Sequence, residues 1–221
     1  MVKFLFKWTV RLFLLAVVLG VILLLSLNSI LRVVVEHRIR AQTGMDAEMG
    51  RFSLSLFSPT IEIQDLKIYN PPAFGGGLFL NIQEIHVEYD RAALARHEIH
   101  VTLMRFNLSE LDIVKNEAGQ TNIFALGVPL PQKNHETDSG AGEFAKRTGL
   151  AFKSIDVLNV SIGTARFIDL KNQRNNRSQK IDIQNLPVRN VKSENDLLGL
   201  LVLVALRGGS FFGSLFLSPG R

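Results

Sequence analysis

The chain has 221 residues, 47% of them hydrophobic, and its 25 basic and 20 acidic residues leave a net charge of +5. A mean hydropathy of +0.18 with only 20% charged residues excludes a disordered chain, whose composition is polar and highly charged. There is no cysteine, which excludes a disulfide framework, thiolate metal sites, iron–sulfur clusters and a cysteine nucleophile. The length holds one domain plus an anchor, or two small domains.

Residues 1–11 make a short basic N-terminus with Lys3, Lys7 and Arg11. Between Arg11 and Arg32 lie residues 12–31, a run with no charge at all. At about 1.5 Å per residue such a run covers about 30 Å, the thickness of a bilayer's hydrocarbon core. A cleaved signal peptide has a shorter apolar region and a small-x-small cleavage site. Leu27-Asn28-Ser29 does not supply one, so the run reads as an uncleaved, single-pass signal anchor. Arg32, Arg38 and Arg40 on the far side match the three basic residues before it, so the positive-inside rule nearly cancels. A short basic N-terminus ahead of a long domain favours a cytoplasmic N-terminus. Trp8, beside Phe4 and Phe6, is placed to sit at the headgroups, and Arg11 and Arg32 bound the span. Residues 32–44 extend it as a juxtamembrane helix, with Gly44 as the natural C-cap.

Beyond Gly44 the hydrophobic period changes from helical to alternating. Phe52, Leu54 and Leu56 alternate with polar residues, and after Pro59 so do Ile61 and Ile63. Leu66 and Ile68 resume one step out of phase, which places a bulge or bend at Asp65. Asn70-Pro71-Pro72 and Gly75-Gly76-Gly77 form a loop. Leu78, Leu80 and Ile82 follow, then Ile85, Val87 and Tyr89 after a second slip at Gln83-Glu84. Asp90 caps a short helical turn, and Ile99, Val101 and Leu103 make one strand, Phe106 to Ile113 another. These residues, 45–126, form a first sheet segment of short antiparallel strands.

Residues 127–149 contain two prolines and four glycines and read as a polar loop. A second sheet segment covers 150–192, with Ile155 to Ile162 and Ile181 to Val191 as strands and the basic tract 171–180 as a hairpin tip. The region 193–221 holds an apolar helix over 196–207 and a tail. Its apolar core is too short to span a bilayer. It is expected to be buried against the sheet, the alternative being membrane or partner contact shared with Phe211, Phe212, Leu215, Phe216 and Leu217.

No constellation carries catalysis, so the chain does not read as an enzyme. His97-Glu98-Ile99-His100 has its two histidines three apart, on opposite faces of a strand, where they cannot share a metal. Gly75-Gly76-Gly77 lacks the Lys-Ser/Thr of a phosphate loop, and there is no G-x-S-x-G. The 171–180 tract lacks interleaved aromatics, so nucleic acid is not an expected partner. Neither a metal nor a cofactor is expected.

Four stretches in order carry a family resemblance. The anchor leads into Arg40-Ala-Gln-Thr-Gly44 and Met49-Gly50-Arg51. Pro59-Thr-Ile-Glu-Ile-Gln-Asp-Leu-Lys-Ile-Tyr-Asn-Pro71 runs from a strand into an Asn-Pro turn. Ile85-His-Val-Glu-Tyr-Asp90 leads through a short helix to Ile99-His-Val-Thr-Leu103, and the fourth stretch, starting at Leu111, ends on Gly119 and Asn122. In these features the chain resembles the AsmA-like family of membrane-anchored envelope proteins, from the anchor to about Leu126 and more loosely over 152–191.

The resemblance implies a mainly β fold with a few helices: an N-terminal transmembrane helix, a curved antiparallel β-sheet or groove, and the C-terminal apolar helix. It also implies a place in the bacterial inner membrane with the β domain in the periplasm, and a role in phospholipid transfer or outer-membrane and envelope assembly, as in bridge-like lipid-transfer proteins. The expected partners are the phospholipid bilayer, a phospholipid ligand and subunits of a membrane protein complex. Leu54, Ile61, Ile63, Ile99, Val101 and Leu103 are the candidates for the lipid-facing groove. The alternation allows eight or nine strands, far fewer than a long bridge has. The rival reading is a non-catalytic structural accessory subunit, whose apolar face is filled by its own helix or by a partner.

Overall fold

A computed structural model describes residues 28–41, 43–55, 58–125, 145–146 and 148–209. Among these residues no helix is long and apolar enough to cross a membrane. The anchor expected at 12–31 lies outside them except for its last four residues. Trp8, Arg11, most of the 127–149 loop and the apolar tail from Phe211 also lie outside.

The chain is mainly β with few helices. Helix α1 covers 28–41, followed by β1 (Asp46–Ser55), β2 (Thr60–Tyr69), β3 (Leu78–Tyr89), α2 (Arg91–Ala95) and β4 (Glu98–Lys115). Then come α3 (Asn122–Ala125), β5 (Ala151–Asp169), β6 (Arg177–Val191) and α4 (Leu198–Gly208). The six strands form one open sheet in the order β1-β2-β3-β4-β5-β6.

Two expectations are corrected. The sheet is mixed, not antiparallel, because β4 and β5 run parallel from Glu98↔Ala151 to Lys115↔Asp169. A parallel neighbour needs a connection that returns the full length of the strand, and residues 116–150 supply it. The polar stretch between the two sheet segments is therefore the crossover that joins them into one sheet. Among the described residues the strands are also six, not eight or nine, since runs separated by a phase slip belong to single long strands such as β4, with 18 residues.

Those slips line up. Gly50 on β1 faces Asp65 on β2, where the register passes from Met49↔Leu66 to Arg51↔Gln64. Asp65 in turn faces Gln83, and the β3–β4 register shifts on either side of Ile82, leaving Gln83 and Ser109 as extra residues. Ser109 lies beside Gly163, and the β5–β6 register shifts on both sides of Ile162. Asp65, Asp182 and Asn185 take the left-handed conformation along this line, which Asp and Asn adopt more readily than other side chains. The irregularities make one crease across all six strands. On β1, β2 and β3 an apolar pair three residues apart stands astride it: Met49/Phe52, Ile63/Leu66 and Ile82/Ile85. Because the crease absorbs one residue, both members pack in the same cluster.

Helix α1 ends as expected at Gly44, which has φ 68° and donates its N–H to the Arg40 carbonyl at 2.9 Å. Its inner stripe, at i, i+4, i+8, runs along the outer edge of β1. Asn28 Oδ1 accepts from the Leu54 N–H (3.1 Å), Arg32 donates to the Gly50 carbonyl (3.1 Å), and Glu36 accepts from the Met49 N–H (2.8 Å). Arg32 and Glu36 also pair with each other at 3.0 Å. An open strand edge is a template for unwanted pairing; here a helix occupies it. Val35 and Ile39 of α1 turn onto the Met49, Leu66 and Ile82 cluster.

Beyond the crease the strand ends are held by a buried amide network. Asn122, fully buried, donates to Asn70 Oδ1 at 2.8 Å and to the Asp112 carbonyl at 2.9 Å, and accepts from the Val114 N–H at 3.0 Å. The Asn-Pro turn and the Gly119-to-Asn122 ending thus meet in space. Beside them buried Asp112 receives a fork of two hydrogen bonds from Arg166, at 2.7 and 2.6 Å.

Candidate apolar binding face

Strand alternation puts one set of side chains on each face of the sheet, and the registers turn the apolar set into continuous rows. Phe52 pairs with Ile63, then Ile85, Phe106, Val160 and Leu186. Beside that row runs Leu54, Ile61, Val87, Met104, Leu158 and Val188. Across the crease runs Met49, Leu66, Ile82, Leu108, Ile162 and Ile183. Five strand spacings of about 4.8 Å make each row about 24 Å long. None of these side chains is polar or titratable.

Helices cover the margins of this face. Helix α1 packs over Met49, Leu66 and Ile82. Helix α4 sets Leu203 and Val204 against Ile113, Ala165, Ile181 and Ile183, while Leu200 and the preceding Leu197 pack against Leu158, Val160 and Val191. Between the helices, Ile85, Val87, Met104 and Phe106 on the central strands are half-buried.

Of the residues singled out in the sequence, Leu54, Ile61 and Ile63 lie on this face, in two adjacent rows. Val101 is buried, in register with Tyr89 and Ile155. Ile99 is half-buried and pairs with Phe152. Leu103 is next to Met104 and points to the opposite face, opposite Glu88 and Val157. Arg32 sits on the β1 edge. The central residues Val87, Met104 and Phe106 were not singled out. Their alternation is visible in the sequence, but only the register shows that they form the middle of the face.

The other face carries a polar cluster. Glu62, Glu84 and His86 bring one ligand-type atom each within 4.8 Å of one another. Arg105 bonds Glu84, at 3.2 and 3.0 Å, and His86 Nε2 lies 3.1 Å from Glu88, so two of the three already have hydrogen-bond partners on this face. Where β3 turns into β4, His100 Nε2 lies 2.9 Å from Asp156 and its Nδ1 3.6 Å from Asp90. The Asp156 hydrogen bond raises the His100 pKa against the opposing effect of burial. Asp90 caps α2, and the N–H groups of Ala92 and Ala93 lower its pKa. His97, with φ 62°, sits in the turn before β4, which starts at Glu98, and not on the strand where the sequence reading placed it.

The arrangement suits contact with an apolar ligand. The chain matches no protein-family model, no curated protein and no solved structure.

Proposed function

We propose that this chain is a membrane-anchored, AsmA-like β-groove protein of the bacterial inner membrane, whose apolar sheet face takes phospholipid acyl chains during lipid transfer or envelope assembly. One observation carries the reading: three unbroken apolar rows cross all six strands, and among the described residues α1 and α4 pack over the two margins. A buried CH₂ is worth about 0.8 kcal/mol, so a sixteen-carbon chain exposed to water costs on the order of 13 kcal/mol. A lipid leaves a bilayer at a useful rate only along a surface that keeps its chain covered. The position of α4 over β5 and β6, with Val87 and Met104 half-buried beyond it, supports a face open to a ligand over one filled by its own helix.

Native mass spectrometry of the full chain, extracted in mild detergent from its own membrane, tests this. Bound phospholipid at defined stoichiometry is expected, and is lost in Val87→Thr with Met104→Gln while the thermal transition stays within a few degrees. Wild-type protein carrying a stoichiometric protein partner and no lipid would make it an accessory subunit.

A further inference from the structure

We propose that the end of the sheet where α1 begins is set against the lipid bilayer, with Leu94 of α2 and Leu198 of α4 as membrane contacts additional to the anchor. This rests on the anchored reading above and adds an orientation to it. The end in question is fixed by pairing. It holds the end of β1 at Ser55 and the start of β2 at Thr60, Tyr89 against the Pro59 carbonyl, and Ile155 against Val191. Helix α1 runs antiparallel to β1, from Asn28 beside Leu54 to Glu36 beside Met49. The uncharged run 12–31 ends in its first turn, so the chain preceding α1 enters at this end.

Two more exposed apolar residues stand at the same end. Leu94 is 40% exposed on α2, which joins β3 to β4 there, and Arg91 and Arg96 flank it; Arg96 also reaches Glu98 at 3.5 Å. An exposed apolar residue between two arginines suits an interface of acyl chains and anionic headgroups. Leu198 is 46% exposed at the start of α4, just after β6 ends. Helix α4 then climbs away, so that Arg207 reaches the Asp182 carbonyl and Gln179 reaches the Arg207 carbonyl near the crease. Leu206 is 74% exposed yet about 12 Å further along the helix than Leu198. Leu170, 38% exposed, follows β5 at the opposite end of the sheet. These two are matched controls of the same residue type.

The absence of cysteine allows single-cysteine labelling of the full chain at Val18, Leu94, Leu170, Leu198 or Leu206. Each variant carries an environment-sensitive fluorophore and is reconstituted in phosphatidylethanolamine–phosphatidylglycerol vesicles with brominated acyl chains. Loss of fluorescence at 18, 94 and 198, with 170 and 206 unquenched, is the expected result. Quenching at 18 without quenching at 94 and 198 overturns the orientation and leaves the anchor standing. Equal quenching at 94, 170, 198 and 206 overturns it as well, because the domain would then lie flat. An unquenched label at 18 overturns the anchored reading and the orientation with it.

Discussion

Asn122 has no exposed surface and makes three hydrogen bonds linking the β2–β3 turn to β4. Replacing it with alanine strands an amide oxygen on Asn70, the Asp112 carbonyl and the Val114 N–H in a buried place. Each buried unsatisfied group costs about 1–3 kcal/mol, so Asn122→Ala is expected to lower stability by about 3 kcal/mol in denaturant unfolding. A loss below about 1 kcal/mol would mean that water replaces the amide. His100 makes a pH-dependent contribution. Its folded pKa is raised above the ordinary 6.5 by Asp156, so the stabilisation is complete below that value and fades as pH rises through the raised one. The difference in melting temperature between wild type and His100→Gln should therefore be larger at pH 6 than at pH 8. A difference that does not vary with pH would remove the charged pair from the account.

Gly163 shows why the crease was only partly legible. A Cβ there would collide with the Ser109 carbonyl, so the parallel β4–β5 pair can close only around a glycine. Gly163→Ala should cost about 1–3 kcal/mol by forcing the backbones apart, and hydrogen exchange should show the loss concentrated at 107–111 and 161–165. Protection unchanged there would argue against this contact. In the sequence Gly163 is a lone glycine in an alternating run. The slips at Asp65 and Gln83 were readable as broken alternation, but a slip looks the same whether a strand ends or bulges, so β4 reads as two strands. Alternation is likewise identical for parallel and antiparallel partners. The direction of β5 therefore depends on the crossover, which leaves no periodic signal. Helix α1 conceals its role for another reason: Asn28, Arg32 and Glu36 look like a solvated stripe until a strand edge is placed beside them.

At the scale of the whole molecule, α1 belongs to the fold as much as to the anchor. It satisfies backbone groups of Met49, Gly50 and Leu54 along the outer edge of β1 and closes one end of the apolar face with Val35 and Ile39. Removing it uncovers a strand edge and the Met49, Leu66 and Ile82 cluster together, the combination that templates strand-to-strand association. Two truncated chains in mild detergent separate this from simple loss of an anchor. A chain starting at residue 28 keeps every contact of α1 with β1 and is expected to remain monomeric by light scattering. A chain starting at residue 45 should lose about 3 kcal/mol from half-buried Val35 and Ile39 alone and self-associate through β1. If the two behave alike in stability and mass, β1 is protected by something other than α1, and the helix is only the tether between membrane and sheet.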